Sequence, residues 1–401
     1  MLSAPRLFTG YRVLSRSYFH LTILFVFLYD RGLSLPTVEL TLAVYGAALA
    51  LAGPVTKPLA ARLSLTGAVA TGEWLKAAGL VLLALPGGLP VAIAGQIIAA
   101  LGFSLASGTD SALLAEVCRR DGADARAWEG RSGSLTFAAA LVAGVLGAIL
   151  YQASHTAPFY LSAAMSALAA LTAPLVGRGL EPAVKPTATA PKDTPAQRAK
   201  GPAYAAVLRW SAYYTVVRAF VLALFIGFLP YLLYLRLHVS LPVFGLVLGS
   251  YTLSGYFTAR YGRAAVDRFG ARATATASAS LAGAGLLILL WQPNTAGAAV
   301  ATLALGAGVG AVRPVAVGAI GELLADRPAA EKAAALRANE ARFAAVNTLL
   351  ILLAGLLLDR VGFPQLLLGV VVGYLALAAA AVLALPRTAA AETPAKAPVA
   401  V

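Results

Sequence analysis

The sequence predicts an all-α polytopic membrane protein whose twelve transmembrane helices form two pseudo-symmetric six-helix bundles. Three observations carry that expectation. Of 401 residues, 60% are hydrophobic and 12% are charged, against roughly 25% charged in a soluble domain. A water-soluble chain of this size has too little interior to hide so much apolar surface, so lipid is the remaining solvent. Twelve mostly apolar runs approach the about 20 residues that a spanning helix needs. The last six of them repeat residues of the first six at a constant offset.

The runs lie near 14–30, 38–60, 68–86, 91–117, 132–153, 158–177, 206–235, 243–261, 273–291, 296–321, 342–358 and 364–385. The first carries tyrosine, histidine and arginine in its early turns and no small-residue cleavage pattern, so it reads as a retained helix. Apolar residues surround most segments, as suits helices facing lipid on one side and protein on the other. Glycines at close spacing, such as Gly144 and Gly147 or Gly306, Gly308 and Gly310, permit close helix contact. With both termini inside, Arg31, Arg236 and Arg360 are the arginines at the outer side, Arg218 and Arg313 lie within the helical runs, and the other basic residues gather in cytoplasmic loops, tails and inner helix ends. The net charge of +14 therefore reads as membrane topology, not as a nucleic-acid surface. Cys118 stands alone, so no internal disulfide forms.

The stretch from Arg178 is rich in proline, lysine, alanine and threonine and reads as a flexible cytoplasmic linker. The expected organisation is a bundle over 1–177, a linker over 178–203, a second bundle over 204–385 and a tail over 386–401. Adding 206 to a first-half number finds the same residue at informative positions. Arg12 meets Arg218, Ser34 meets Ser240, Pro36 meets Pro242 and Tyr45 meets Tyr251. Arg62 meets Arg268, Gly102 meets Gly308, Glu116 meets Glu322 and Arg131 meets Arg337. Phe137 and Phe343, and Pro158 and Pro364, match likewise. Two parallel halves related by an axis along the membrane normal follow from this.

Twelve helices, the repeat and a long central linker resemble the major facilitator superfamily. After the eighth run the chain reads Gly262-Arg263-Ala264-Ala265-Val266-Asp267-Arg268-Phe269-Gly270-Ala271-Arg272, which is similar to that superfamily's loop signature. Its glycines allow a tight turn. Asp267 either caps the ninth helix or pairs with a basic neighbour, and Arg263, Arg268 and Arg272 anchor the loop. The first-half copy, from Thr56 to Thr66, keeps Arg62 but has Ala61 for the acid and Ser64 for the glycine. The resemblance implies that Arg62, Glu116, Arg131, Asp267, Arg268, Glu322 and Arg337 form an inner charge network, with Asp267 facing Arg131. The alternative is a set of ordinary interfacial charges. The resemblance also brings the outer ends of the first and seventh helices together, and so implies an outer ion pair between Asp30 and Arg236. The bland reading there is a hydrated Asp30 or one paired locally with Arg31.

Ionisable groups inside a span are expensive and point to function. The candidates are His20, Asp110, Arg218, Arg313 and Asn347. His20 is either a packing histidine or a proton carrier; Arg218 either snorkels or meets substrate; Asn347 is an interhelical hydrogen-bonding residue. The resemblance places helices 1, 4, 7 and 10 around the cavity, so Asp110 and Arg313 are expected to approach there, as a proton switch or as a permanent pair. Tyr45, Tyr213, Tyr214 and Tyr251 supply either substrate contacts or packing. His20, His155 and His238 have no metal-ligand spacing, and no phosphate-binding glycine loop is present. No enzyme activity, metal or cofactor is expected. The helix 5 run lacks the proline of drug–proton antiporters, while Ser107-Gly108-Thr109-Asp110-Ser111-Ala112-Leu113-Leu114 looks like helix 4 of bacterial efflux-type members. The expectation is a secondary active transporter in the cytoplasmic membrane, a monomer with cytoplasmic termini, exporting a small organic molecule in exchange for protons. The alternatives are uptake or exchange of an organic anion, and a non-transporting scaffold.

Overall fold

The structure, a computed structural model, describes residues 3–179, 202–325, 327 and 329–386, and the side chain of Arg337 lies outside that set. The expected linker and tail fall almost wholly outside it as well. Among the described residues the chain is helical throughout, without a strand. The first part holds α1 (Ala4–Ser15), α2 (Leu24–Asp30), α3 (Leu35–Leu51), α4 (Gly53–Arg62), α5 (Leu65–Ala84), α6 (Gly88–Ala106), α7 (Thr109–Asp121), α8 (Ala125–Ala153) and α9 (Ala157–Val176). The second part holds α10 (Pro202–Ala223), α11 (Leu241–Phe269), α12 (Ala271–Trp291), α13 (Thr295–Leu323), α14 (Ala329–Val361) and α15 (Phe363–Leu383). From α10 the chain continues through two π-helical stretches, Leu224–Phe228 and Tyr231–Arg236.

Local sequence sets many of these boundaries. Ser64 Oγ accepts from Gly67 N at 3.0 Å and Asn294 Oδ1 from Gly297 N at 2.8 Å, each satisfying an orphan donor at a helix start. Ser34 and Ser240 precede α3 and α11, each with proline in the first turn, where the missing N–H costs nothing. In lipid, helices associate through close packing. A Cβ at Gly72 would stand 2.6 Å from the Gly102 carbonyl, and one at Gly102 would stand 2.5 Å from the Gly72 carbonyl. That reciprocal pair lets α5 and α6 touch backbone to backbone.

Among the described residues, nine helices are long and apolar enough to cross a membrane, or ten if α3 and α4, bent by 53°, make one span. A helix occupies each of the twelve expected runs, but two of them fall short of a simple span. The first run is interrupted between α1 and α2, so neither piece reaches spanning length. The eighth lies in α11, which is long enough but carries polar and charged residues along its second half. The fourth run is also broken: Gly108, at φ +83°, separates α6 from α7, a conformation glycine adopts without a Cβ clash. Breaks at depth need protein or water around them to satisfy the freed backbone, and these gather polar side chains.

One end of the bundle carries the start of α1 and the end of α15 and is called here the near end. At the opposite, far end, α3 packs on α14 and α8 on α11 across the two parts. The largest buried cluster runs from Ile23–Leu28 through α10 into α13, so the main core joins both parts. A smaller one at the near end includes Phe8, Tyr11, Leu113, Val117 and Ala173.

Candidate functional site

The broken first and fourth helices bring charge together in the first part. Arg12, buried on α1, pairs with Glu129 at 2.7 Å and with Asp110 at 3.3 Å. It also donates to Ser132 Oγ and Ser111 Oγ, each at 3.0 Å. Arg16, one turn on, stands 3.8 Å from Asp110, lies 4.6 Å from the Phe103 ring centroid and donates to the Tyr18 hydroxyl at 3.2 Å. The other Asp110 oxygen accepts from Gly108 N at 3.0 Å and Ser111 N at 2.8 Å. The break in helix 4 thus places this carboxylate at the start of α7, where the helix dipole favours an anion.

Beside it lies a second buried pair. Lys76 Nζ stands 2.7 Å from Glu73 Oε2, one turn apart on α5. Glu73 Oε1 accepts from Ser15 Oγ at 2.7 Å and the Tyr11 hydroxyl at 3.3 Å, while Lys76 donates to the Ser15 carbonyl at 2.9 Å. Both ions are nearly inaccessible, and each is surrounded by the other's hydrogen-bond partners. Such saturation is what makes a buried pair tolerable.

In the second part Arg218 pairs with Glu340 on α14 at 3.4 Å, bonds the Tyr214 hydroxyl, and lies 4.3 Å from the Phe343 ring centroid. Tyr214 in turn donates to Glu340 at 2.5 Å. Arg12 joins α1 to α8 through Glu129, and its repeat partner Arg218 joins α10 to α14 through Glu340. The repeat therefore extends to a first-to-fifth-helix ion pair in each half. Tyr45 and Tyr251 are equivalent in kind also, half-buried beside Phe103 at 6.5 Å and stacked on Phe225 at 4.4 Å.

Several expected partnerships are replaced by others. Asp110 and Arg313 do not pair. Arg12 and Arg16 hold Asp110 because α1 breaks at its depth, whereas Arg313 is exposed on α13 and repels Arg218. Arg218 does not snorkel, since Glu340 lies within reach in its own half. Asp30 does not meet Arg236. It accepts from Tyr151 at 2.8 Å and from Tyr234 at 2.9 Å, because the π-helical turns rotate Tyr234 towards it. Arg31 is spent on the carbonyls of Leu83, Ala84 and Leu85. Asp267 neither caps α12, whose N-cap is Gly270, nor faces Arg131; it stays inside α11, 3.9 Å from Arg263. Arg131 stacks over Trp128, and Glu116 pairs with Arg119 in the next turn. Arg62, Arg268 and Glu322 are exposed at the near end. Asn347 is buried, but its Oδ1 finds no partner among the described residues. His20 sits in the interrupted turn with Nδ1 3.0 Å from Ser162 Oγ and its ring beside Tyr18 and Phe159, a packing environment.

Sequence reasoning missed Glu39, Glu73, Lys76, Glu129 and Glu340. A signal existed for three. Glu73 and Lys76 sit mid-run in 68–86, one helical turn apart, and Glu39 lies at the start of run 38–60. Glu129 and Glu340 precede apolar runs and read as surface charge until the tertiary fold sets them against Arg12 and Arg218.

No family model matches this chain, and no curated protein matches it. Solved structures do. A POT peptide transporter bound to alafosfalin superposes with a TM-score of 0.70 at 17% identity, covering 95% of this chain and 94% of that one. The nucleoside transporter NupG gives 0.73 at 13%, covering 96% and 100%. A POT family transporter in complex with 5-aminolevulinic acid gives 0.72 at 13%, covering 94% of each. Across nearly its whole length the chain has the fold of these membrane transporters, that of the major facilitator superfamily.

Proposed function

We propose that this chain is a secondary active transporter of the cytoplasmic membrane that moves a small organic solute bearing an anionic group by alternating access. The observation that carries the solute class is a charge ledger. In the first part the buried cations Arg12 and Lys76 and the half-buried Arg16 are matched by Glu73, Asp110 and Glu129. In the second part Glu340 serves Arg218 alone, and the described residues offer Arg313 no ion pair. Arg313 lies ten residues before the end of α13, about 15 Å deep at 1.5 Å per residue. A guanidinium at that depth is tolerated beside water or an anion, not against lipid. Phe343, which lies against Arg218, and the stacked rings of Tyr251 and Phe225 suit the apolar body of an organic anion. Neighbours of this fold are a peptide transporter, a nucleoside transporter and a POT family transporter in complex with 5-aminolevulinic acid.

Closure at the far end supports alternating access. Tyr234 of the second part donates to Asp30 of the first, while Asp267 and Arg263 at the near end are more than two-thirds exposed and engage each other. Two bundles rocking about a midplane site would exchange these situations. Export in exchange for protons is the direction the sequence favours, with the near end cytoplasmic and the protein a monomer. The test is a panel of organic anions, cations and neutral solutes offered to inverted and right-side-out vesicles, with and without an uncoupler. Anion flux that falls at least tenfold in Arg313→Gln supports the reading. Flux of cations alone, or none, overturns it.

A further inference from the structure

Glu39 is five residues into α3, in the seam where the two parts meet at the far end, and is 3% exposed. Across the seam it faces backbone without side chains. A Cβ at Gly227, in the first π-helical stretch, would lie 2.6 Å from Oε1 and 2.7 Å from Oε2. One at Gly355, on α14, would lie 2.5 Å from the Glu39 Cβ. A small void beside the carboxyl is lined by Phe228, Tyr231, Ala354, Leu358 and Leu366. Oε2 has no hydrogen-bond partner, and no ion pair to Glu39 is found among the described residues.

Among the described side chains, the charges nearby are engaged elsewhere or exposed. Tyr231 is the titratable group lining the void. On α2, Asp30 is held by Tyr151 and Tyr234, and Arg31 by carbonyls. Arg236 and Arg360 are exposed at the far end, and α6, which also packs on α3, carries no ionisable residue. Glu73 satisfies its burial with an ammonium and two hydroxyls; Glu39 has nothing comparable. Enclosing a bare carboxylate in such surroundings costs several kcal/mol, and enclosing the neutral acid costs far less.

We propose that Glu39 is a proton-binding site that the closed seam holds as the neutral acid. When α3 separates from α14 and the π-helical turns, water reaches the carboxyl, the O–H bond breaks, and the proton passes to that water. Closing again requires a proton from the far side. Acid there favours the closed arrangement, and alkali favours the open one. This rests on the alternating-access reading, deepens it by naming a proton site, and assigns to Glu39 the role that Asp110, locked between two arginines, does not fill.

The experiment measures conformation rather than transport. Ser34 and Ser240, exposed at the far end of each part, are changed to cysteine in a Cys118→Ala background, spin-labelled, and the protein placed in lipid nanodiscs. Distances are read from acidic to mildly alkaline buffer. The native Glu39 protein is expected to show one short distance in acid and a growing longer one in alkali, whereas Glu39→Gln stays short throughout. A pH shift that persists in Glu39→Gln, or no shift in the native protein, overturns the proposal. Should Glu39→Gln fail to fold, infrared difference spectra of the unaltered chain decide: a protonated carboxyl C=O band must be present in the closed form and vanish as the long distance appears. Solute counterflow in the same lipids separates the two readings. A distance shift without flux sinks the transporter and keeps the proton site, and flux without a shift does the reverse.

Discussion

Replacing Glu73 by leucine removes the carboxylate from a buried pair while leaving Lys76 in place. The stranded ammonium keeps the Ser15 carbonyl at 2.9 Å and the Ser15 hydroxyl at 3.2 Å, which offsets part of its burial. The expected loss is therefore near the lower end for a broken buried pair, about 3 kcal/mol. Tyr11 and Ser15 lose their acceptor as well, which adds about 1 kcal/mol. Lys76→Met strands Glu73 instead, but that carboxylate keeps both hydroxyl donors, so about 3 kcal/mol is expected again. In the double variant no charge remains, and only the unmet hydroxyls cost anything, about 2 kcal/mol. The singles would then sum to far more than the double, a non-additivity that marks direct coupling. Reversible detergent-induced unfolding in bicelles, followed by tryptophan fluorescence, measures all three. A double variant destabilised by the sum of the singles would refute the reasoning, because it would mean that each residue is held by its surroundings and not by its partner.

Two further outcomes follow from the far end. Tyr234→Phe removes the hydrogen bond from the second part to Asp30 and leaves the one from Tyr151. The closed arrangement should weaken by about 1 kcal/mol, read as roughly fivefold faster labelling of a cysteine placed at the buried Ala354 of the same seam. Unchanged labelling would remove Tyr234 from the closure. Gly147→Ala drives a methyl into the Phe19 carbonyl, so α8 must move off the interrupted segment of helix 1. A clear drop in thermal stability, larger than for Gly133→Ala, which meets open space, is expected from calorimetry.

Which parts of the site were legible depends on what each residue needs in order to be recognised. Asp110, Arg218 and Arg313 stood out because a charge inside an apolar run is costly wherever it ends up. Their partners were not legible. Offset arithmetic set Arg313 against Asp110, but Arg12 and Arg16, at the end of α1 and just past it, hold Asp110 within their own half. The breaks themselves left little trace: Gly108 is one glycine among 38, and the interruption before Leu24 carries no proline. Asp30 ends α2 at the far end of the bundle, and the residue across from it is Tyr234, two positions before the expected Arg236. π-helical turns shift the register of everything after them, and no composition or period announces such a turn.

Composition alone fixed the solvent, since a chain this apolar has nowhere else to put its surface. The long apolar runs fixed an all-helical architecture, because a lipid-embedded segment satisfies its own backbone only as a helix or in a closed barrel, and the runs lack strand alternation. Those are local properties, and sequence expresses them directly. Pairing is not local. Whether Glu39 is a hydrated helix-end charge or a carboxyl sealed against Gly227 and Gly355 depends on two helices more than 180 residues away. Only the tertiary structure decided it, by bringing two bare backbones to a place where a side chain would otherwise have kept water in reach.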